Sequence, residues 1–283
     1  MNQSSHSDFF DKIAVITGAS SGFGRELAKQ AAARGMKLVL ADVDGPALAE
    51  TAGMLGGVDS VCLRCDVSNP DDVKELAETA YAEYGAVHLL FNNAGVMATG
   101  PVWASTPEDW QWILGVNLMG VVHGIQSFVP RMLEQSEPAH IINTASLAGL
   151  TSVNGSGAYC ASKHSVVTLS ECLHHDLAQQ AVKHIGVSVL CPAFVPTGIA
   201  DAGRNRPDSL ASTNPDAAAY EDKVRKAVES GRLSAADIAR ITFEGIEAGQ
   251  FYILPHKAAR VSVTMRMEDI LEGRAPRDPS VIR

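Results

Sequence analysis

Short apolar runs rich in β-branched residues alternate along the chain with longer stretches whose apolar positions recur at helical spacing. The strand-like runs are Lys12–Thr17, Lys37–Ala41, Ser60–Cys65, Val87–Asn92, His140–Ala145, Gly186–Leu190 and Gln250–Leu254. Several, such as Ile13-Ala14-Val15-Ile16, are apolar at every position, as strands covered on both faces must be. Helical periodicity fills Gly24–Arg34, Pro46–Leu55, Asp71–Tyr84, Pro107–Leu133, Ala158–Ala181 and Ala235–Ala248. Asn69-Pro70-Asp71-Asp72 and Thr106-Pro107-Glu108-Asp109 each supply a cap residue, a proline and first-turn acids. Strands alternating with helices imply right-handed crossovers, hence an α/β domain with a doubly wound parallel sheet of about seven strands.

Two stretches fall outside the repeat. Gly198–Gly231 is rich in Ala, Asp, Ser, Asn and Pro, with a helical pattern near Tyr220–Val228. A loop of that length in a compact domain is usually a lid, a binding segment or disordered, and the leading expectation is that residues 198–231 close over a substrate. Residues 256–283 form a C-terminal extension in which Met267, Ile270 and Leu271 share one face of a short helix. Residues 1–10 read as a disordered polar tail, which leaves 11–255 as one folded domain.

Composition narrows the function. The chain has 283 residues, 46% hydrophobic and 19% charged, a balance that packs a core and excludes wholesale disorder. Its net charge of −9 argues against nucleic-acid and anionic-membrane partners. No apolar run reads as the ~18–20 residues of a membrane span. Met1–Asp8 lack the basic start and apolar stretch of a signal peptide, so the expected location is cytoplasmic. Five scattered cysteines argue against a disulfide framework. Cys62 and Cys65 form a C-x-x-C, but strand positions three apart point to opposite faces, so no metal site is expected there.

The first strand runs into Gly18-Ala19-Ser20-Ser21-Gly22-Phe23-Gly24, and a helix follows. That arrangement presents backbone N–H groups and a helix N-terminus to a pyrophosphate. Gly18 makes the turn, Gly22 permits close approach and Gly24 lets the helix pack. The spacing G-x-x-x-G-x-G departs from the general dinucleotide fingerprint, so alone it is also compatible with a plain glycine turn. Asp42 ends the second strand, where an acid binds adenosine ribose hydroxyls and repels a 2′-phosphate. Its neighbours Ser21 and Val43 offer no basic compensation, although Arg25 or Arg64 would serve if either reached the site. The expected cofactor is NAD rather than NADP.

Within Tyr159-Cys160-Ala161-Ser162-Lys163, Tyr159 and Lys163 share one helix face at i, i+4. Tyrosine ionises near pH ~10, and bringing that toward ~7 needs roughly 4 kcal/mol from two nearby cations, the Lys163 ammonium one turn away and an oxidised nicotinamide. The expected product is an acid/base poised at neutral pH. An exposed helix carrying an unrelated Tyr and Lys would show the same pattern.

The full set of motifs resembles the short-chain dehydrogenase/reductase family in its single-domain branch. The matching pieces are Thr17–Gly24, Asp66-Val67, Asn92-Asn93-Ala94-Gly95, Asn117, Ser146, Tyr159/Lys163 and Pro192–Thr197, in the family's order over residues 12–255. The resemblance implies a Rossmann-type fold with helices on both faces of the sheet. It also implies hydride transfer between nicotinamide C4 and an alcohol or carbonyl carbon. Tyr159 would move the proton, Lys163 would hold the nicotinamide ribose and lower the phenol pKa, and Ser146 would bind the substrate oxygen. Asn117 would link Lys163 to a water chain. Ser20, Ser21 and Phe23 would line the pyrophosphate loop, Asp66 and Val67 the adenine, and Asn93, Ala94 and Gly95 the riboses. Pro192, Val195 and Thr197 would meet the carboxamide. Two positions depart from the pattern: Ala193 stands where the family usually has Gly, and Phe23 replaces the more usual Ile.

Met97 and Phe194 directly follow cofactor motifs at strand ends and are expected to line an apolar substrate pocket. Trp103, Trp110 and Trp112 read as core or interface residues. His174-His175-Asp176 reads as a surface or interface face, because adjacent helix positions diverge, and His164 reads as packing. The leading expectation is an NAD-dependent oxidoreductase of a secondary alcohol or ketone, assembled as a homotetramer or homodimer. A non-catalytic NAD-binding regulator on the same fold is the alternative. A lyase or epimerase of the extended branch would carry a different glycine loop and a larger C-terminal region.

Overall fold

A computed structural model describes residues 9–279. Seven parallel strands form one sheet in the order β3-β2-β1-β4-β5-β6-β7. They are β1 (Ile13–Thr17), β2 (Lys37–Asp42), β3 (Ser60–Arg64), β4 (Leu89–Asn92), β5 (Ala139–Thr144), β6 (Ile185–Leu190) and β7 (Tyr252–Ile253). The order reverses between β1 and β4, which opens a crevice at their carboxyl ends. Helices cover both faces: α1 (Gly22–Ala33), α2 (Gly45–Gly53), α3 (Pro70–Tyr84), α4 (Pro107–Leu114), α5 (Gly120–Glu134), α6 (Gly157–Gln179), α7 (Ala217–Glu229), α8 (Ala235–Glu247) and α9 (Ala259–Leu271).

Alternation along each strand builds two cores. Ile16 and Leu38 face α1 and α8, where Leu27 and Phe243 pack. Val15 and Val39 face the other way, toward Leu76 on α3 and Phe128 on α5. Phe91, Phe128 and Phe243 are fully buried, and each such side chain contributes ~1.5–3 kcal/mol. Asn69 caps α3 by accepting the Asp71 N–H, and Thr106 forms a reciprocal capping box with Asp109 on α4.

Several sequence expectations change. Phe9, within the stretch expected to be a disordered tail, is buried edge-on against Phe243 with ring centroids 5.5 Å apart, while residues 1–8 lie outside the described residues. The continuous pattern Pro107–Leu133 is broken by a π-helical turn, Gly115–Met119, between α4 and α5. This stretch, Pro107–Glu134, is also apolar and long enough to cross a membrane by length and composition, with half of its window buried inside the protein. The expectation that no run reaches the length and apolarity of a span is corrected by this stretch on composition alone. Of the tryptophans expected in core or interface, Trp112 is buried and Trp103 is 89% exposed, which leaves it the interface reading. Strand β7 is shorter than Gln250–Leu254 because, as an edge strand, it pairs with β6 only through Tyr252 and Ile253. Cys62 is exposed, Cys65 is buried and both are free. Among the described residues no His/Cys/Asp/Glu group could hold a metal.

Candidate active site

A cavity of about 830 Å³ lies over the carboxyl ends of the central strands, within the size range of ligand pockets. Gly18, Ser20, Ser21, Gly22, Phe23, Asp42, Asp66, Val67, Asn93, Ala94 and Gly95 line one part of it. Met97, Ser146, Tyr159, Lys163, Pro192, Phe194, Val195 and Thr197 line the remainder. Of the sequence-derived site residues, only Gly24 and Asn117 stand outside its wall.

The glycine loop is shaped by close backbone approach. Gly18 has φ +67°, and a Cβ there would lie 2.8 Å from the Ala94 Cα. Gly24 sits behind the loop, where a Cβ would meet the Gly18 carbonyl. Thr17 ties the two central loops together: its Oγ1 accepts the N–H groups of Asn93 and Ala94 at 2.9 and 3.1 Å. The Asn93 side-chain amide donates back to the Thr17 carbonyl at 3.0 Å.

Asp42 is buried at the end of β2, where its carboxylate accepts the N–H groups of Ser20 and Asp44, each at 3.0 Å. Those two donors fix the carboxylate beside the loop. Arg25 is turned away from the cavity: its guanidinium donates to the Ser20 carbonyl at 2.6 Å and to Thr51 Oγ1 at 2.9 Å. Arg64 is exposed and is not among the lining residues.

At the other end, α6 places Tyr159 and Lys163 on the cavity wall. The Lys163 ammonium is buried, donates to the Thr144 carbonyl at 2.8 Å and lies 5.8 Å from the Tyr159 ring centroid. Ser146 ends the β5 segment, accepts the Ala148 N–H at 3.1 Å and hydrogen-bonds Tyr159. Asn117 occupies the π turn. Its amide donates to the Val96 carbonyl and Ser162 Oγ at 3.0 Å, while its oxygen accepts the Val96 N–H at 2.8 Å. None of these bonds goes to the Lys163 amine.

The protein's own groups do not by themselves poise the phenol at neutral pH. Burial pushes the Tyr159 phenol up to about 12, with the Ser146 hydrogen bond pulling partly back. Burial also pushes the Lys163 ammonium down to about 8. Loss of water penalises both ionised forms, and one amine bonded to a backbone carbonyl does not outweigh that for the phenolate.

The segments outside the repeat also reach the site. Tyr220, Lys223 and Val228 of the lid line the cavity, as do Ser262, Asp278 and Pro279 of the extension. Asp278 accepts the Asn154 N–H at 3.2 Å. Buried Asp269 anchors the preceding turn, with Arg274 Nε at 3.1 Å and Arg277 Nε at 2.9 Å from its Oδ1. His256 Nδ1 accepts the Ala193 N–H at 3.1 Å, pinning the loop after β6. None of these positions carries a local motif; the acid-and-arginine spacing of Asp269, Arg274 and Arg277 was the one available signal.

The cradle fits a dinucleotide. Around Gly22, whose φ is +52°, an added Cβ would find only Thr197 side-chain carbons, at 3.6 Å. The fixed Asp42 carboxylate faces the same cavity.

Comparison with known proteins agrees with this architecture. The short chain dehydrogenase family model matches residues 12–208. A CLA biosynthesis dehydrogenase/reductase of Lactiplantibacillus plantarum is 35% identical over 276 residues, covering 95% of this chain and 96% of its own. A C alpha-dehydrogenase of Sphingobium sp. is 32% identical over 95% of this chain and 88% of its own. The crystal structure of a short-chain dehydrogenase/reductase from Burkholderia phymatum in complex with NAD is similar with a TM-score of 0.94 and 52% identity, covering 96% of this chain and 98% of that one. With its glycine loop and its Tyr159/Lys163 helix on one cavity, the chain belongs to the short-chain dehydrogenase/reductase family of oxidoreductases.

Proposed function

We propose that this oxidoreductase interconverts a secondary alcohol and a ketone of apolar character with NAD(H) as cofactor. The observation that carries the proposal is that Ser146, Tyr159 and Lys163 share a cavity with the glycine loop and Asp42. When bound, the nicotinamide supplies the hydride acceptor or donor. Ser146 Oγ holds the substrate oxygen, and Tyr159 Oη takes its proton in oxidation or returns it in reduction. Lys163 holds the ribose and places positive charge on the phenol side of the site. A cationic oxidised ring would add to that charge, which is how a phenol held high in the protein alone would become a base near neutral pH. Asn117 braces the Val96 backbone and Ser162, so its part in proton delivery would run through water.

NAD is favoured over NADP because Asp42 is held toward the cavity while Arg25 is turned away from it. NAD in the related Burkholderia phymatum structure points the same way. Gly18, Ser20–Gly24, Asp66, Val67, Asn93–Gly95, Pro192, Val195 and Thr197 make up the cofactor contacts. Met97 and Phe194, with Trp112, give the substrate end its apolar character, and residues 198–231 close it. A cytoplasmic homodimer or homotetramer built on α5 and α6 completes the proposal, with sedimentation as its check.

The test is a titration of NADH and NADPH followed by a panel of secondary alcohols and ketones. NADH tighter by tenfold, about 1.4 kcal/mol, with turnover of apolar ketones is the expected result. Tighter NADPH binding would overturn the Asp42 reading. NADH binding without turnover of any substrate would favour a regulator.

A further inference from the structure

Behind the lid lies a second chamber of about 150 Å³. It shares Met97, Trp112, Ile199 and Val224 with the wall of the large cavity, so the two spaces adjoin at the substrate end. A cavity of roughly this size accepts a benzene-sized group. Its distinctive member is Arg206, which stands between the two 3₁₀ turns of the lid, Gly198–Asn205 and Asp208–Leu210.

Three sides of the Arg206 guanidinium are committed. Nη1 pairs with Asp109 Oδ1 at 2.7 Å, Nε donates to the Leu210 carbonyl, and the group stacks 4.8 Å from the Trp112 ring centroid. Nη2 is buried and has no hydrogen-bond partner among the described residues. A buried donor without a partner is costly, and this one belongs to a residue that lines the chamber.

Resting on the ketone/alcohol reading above, we infer that Arg206 Nη2 and this chamber form a distal subsite for a neutral oxygen acceptor carried by the substrate's far end. The charges argue for a neutral group. Asp109 already balances Arg206, and Glu221 also lines the chamber, so a substrate carboxylate would meet net negative charge. A carbonyl, ether or hydroxyl oxygen accepts from Nη2 without adding charge. The apolar shared wall accommodates the chain that links it to the reacting carbon. Arg206 is thus a specificity-determining residue, and the same contact ties the lid to α4.

The test compares 2-alkanones of increasing length in matched pairs, one ending in methoxy and the other in ethyl. These pairs differ by one oxygen for one methylene. Dissociation constants from the non-reacting complex with oxidised NAD are measured by calorimetry, and turnover of the same ketones with NADH is followed separately. Arg206→Met is combined with Asp109→Asn, which leaves no unpaired buried charge and keeps an oxygen for the Thr106 N–H. Arg206→Lys is the second variant; it retains a cation for Asp109 but lacks the second planar nitrogen.

At the one or two lengths that reach the chamber, the methoxy-over-ethyl affinity ratio is expected to fall tenfold in both variants relative to wild type, about 1.4 kcal/mol. A ratio that is the same in wild type and variants at every length overturns the subsite, as does binding of neither ketone. If the double variant fails to fold, Arg206→Lys decides. Binding with the expected ratio but without turnover leaves the subsite standing and counts against the ketone-reduction reading.

Discussion

The Lys163 ammonium lies 5.8 Å from the centre of the Tyr159 ring while its own hydrogen bond goes to the Thr144 carbonyl at 2.8 Å. One turn of α6 makes the two side chains neighbours, but the strand beneath claims the amine's proton. The phenol is left with burial as its dominant influence, and it stays protonated at neutral pH in the protein alone. A bound cofactor has to complete the activation, which couples cofactor binding to proton transfer.

Removing the phenol tests this directly. Tyr159→Phe should lower kcat by about 10²–10⁴-fold, the usual contribution of a general acid/base. NADH affinity by fluorescence titration should stay within a few-fold of wild type. Retained turnover would assign the proton to another group.

Burial of Lys163 has a sign that a pH series can read. Its folded pKa, about 8, lies below the ordinary 10.5, so between those values the unfolded chain holds more protons than the folded one. Stability contributed by Lys163 therefore rises as pH climbs from 8 to 10.5, by up to about 3 kcal/mol. Urea unfolding of wild type and Lys163→Met should show wild type gaining on the variant across that window. A flat difference would mean that the amine is solvated.

Asp42 is held by two backbone donors, so its loss has two consequences. Asp42→Ala should weaken NADH binding and shift the NADH/NADPH preference toward NADPH by about tenfold or more, roughly 1.4 kcal/mol. Paired titrations of the two reduced cofactors measure it. An unchanged ratio would place the selector elsewhere.

A Cβ at Gly24 would collide with the Gly18 carbonyl, which belongs to backbone and cannot rotate away. Gly24→Ala should cost about 1–3 kcal/mol, as overpacking of a tight contact does, and should weaken cofactor binding by displacing the loop. Thermal unfolding and NADH titration of one preparation report both. A stable variant with normal affinity would show that α1 can shift without penalty.

The extension reaches the cavity through the turn that Asp269 anchors. Asp269→Ala should raise KM for the ketone severalfold while leaving the NADH dissociation constant unchanged, because Asp278 and Pro279 line the cavity whereas the glycine loop is remote in sequence and held by Thr17. Equal KM values would make the extension a bystander.

The order of apolar runs alone determined a parallel doubly wound sheet, because β and helical periodicities are local and each crossover has a preferred hand. The glycine loop, Asp42 and the Tyr159/Lys163 pair were likewise legible, since their chemistry depends on short spacings at strand ends or along one helix, whereas Ser146 came only from the family resemblance. Tertiary structure decided what local spacing cannot encode. It brought Asp278, Arg206 and His256 to the catalytic end from segments without motifs, and it buried Phe9 in what reads as a polar tail. It broke the long helix into a π turn at Asn117 so that its amide meets Val96 and Ser162. It also set burial against the phenolate of Tyr159, because desolvation is set by everything packed around a group, whereas sequence displays only the neighbours along the chain.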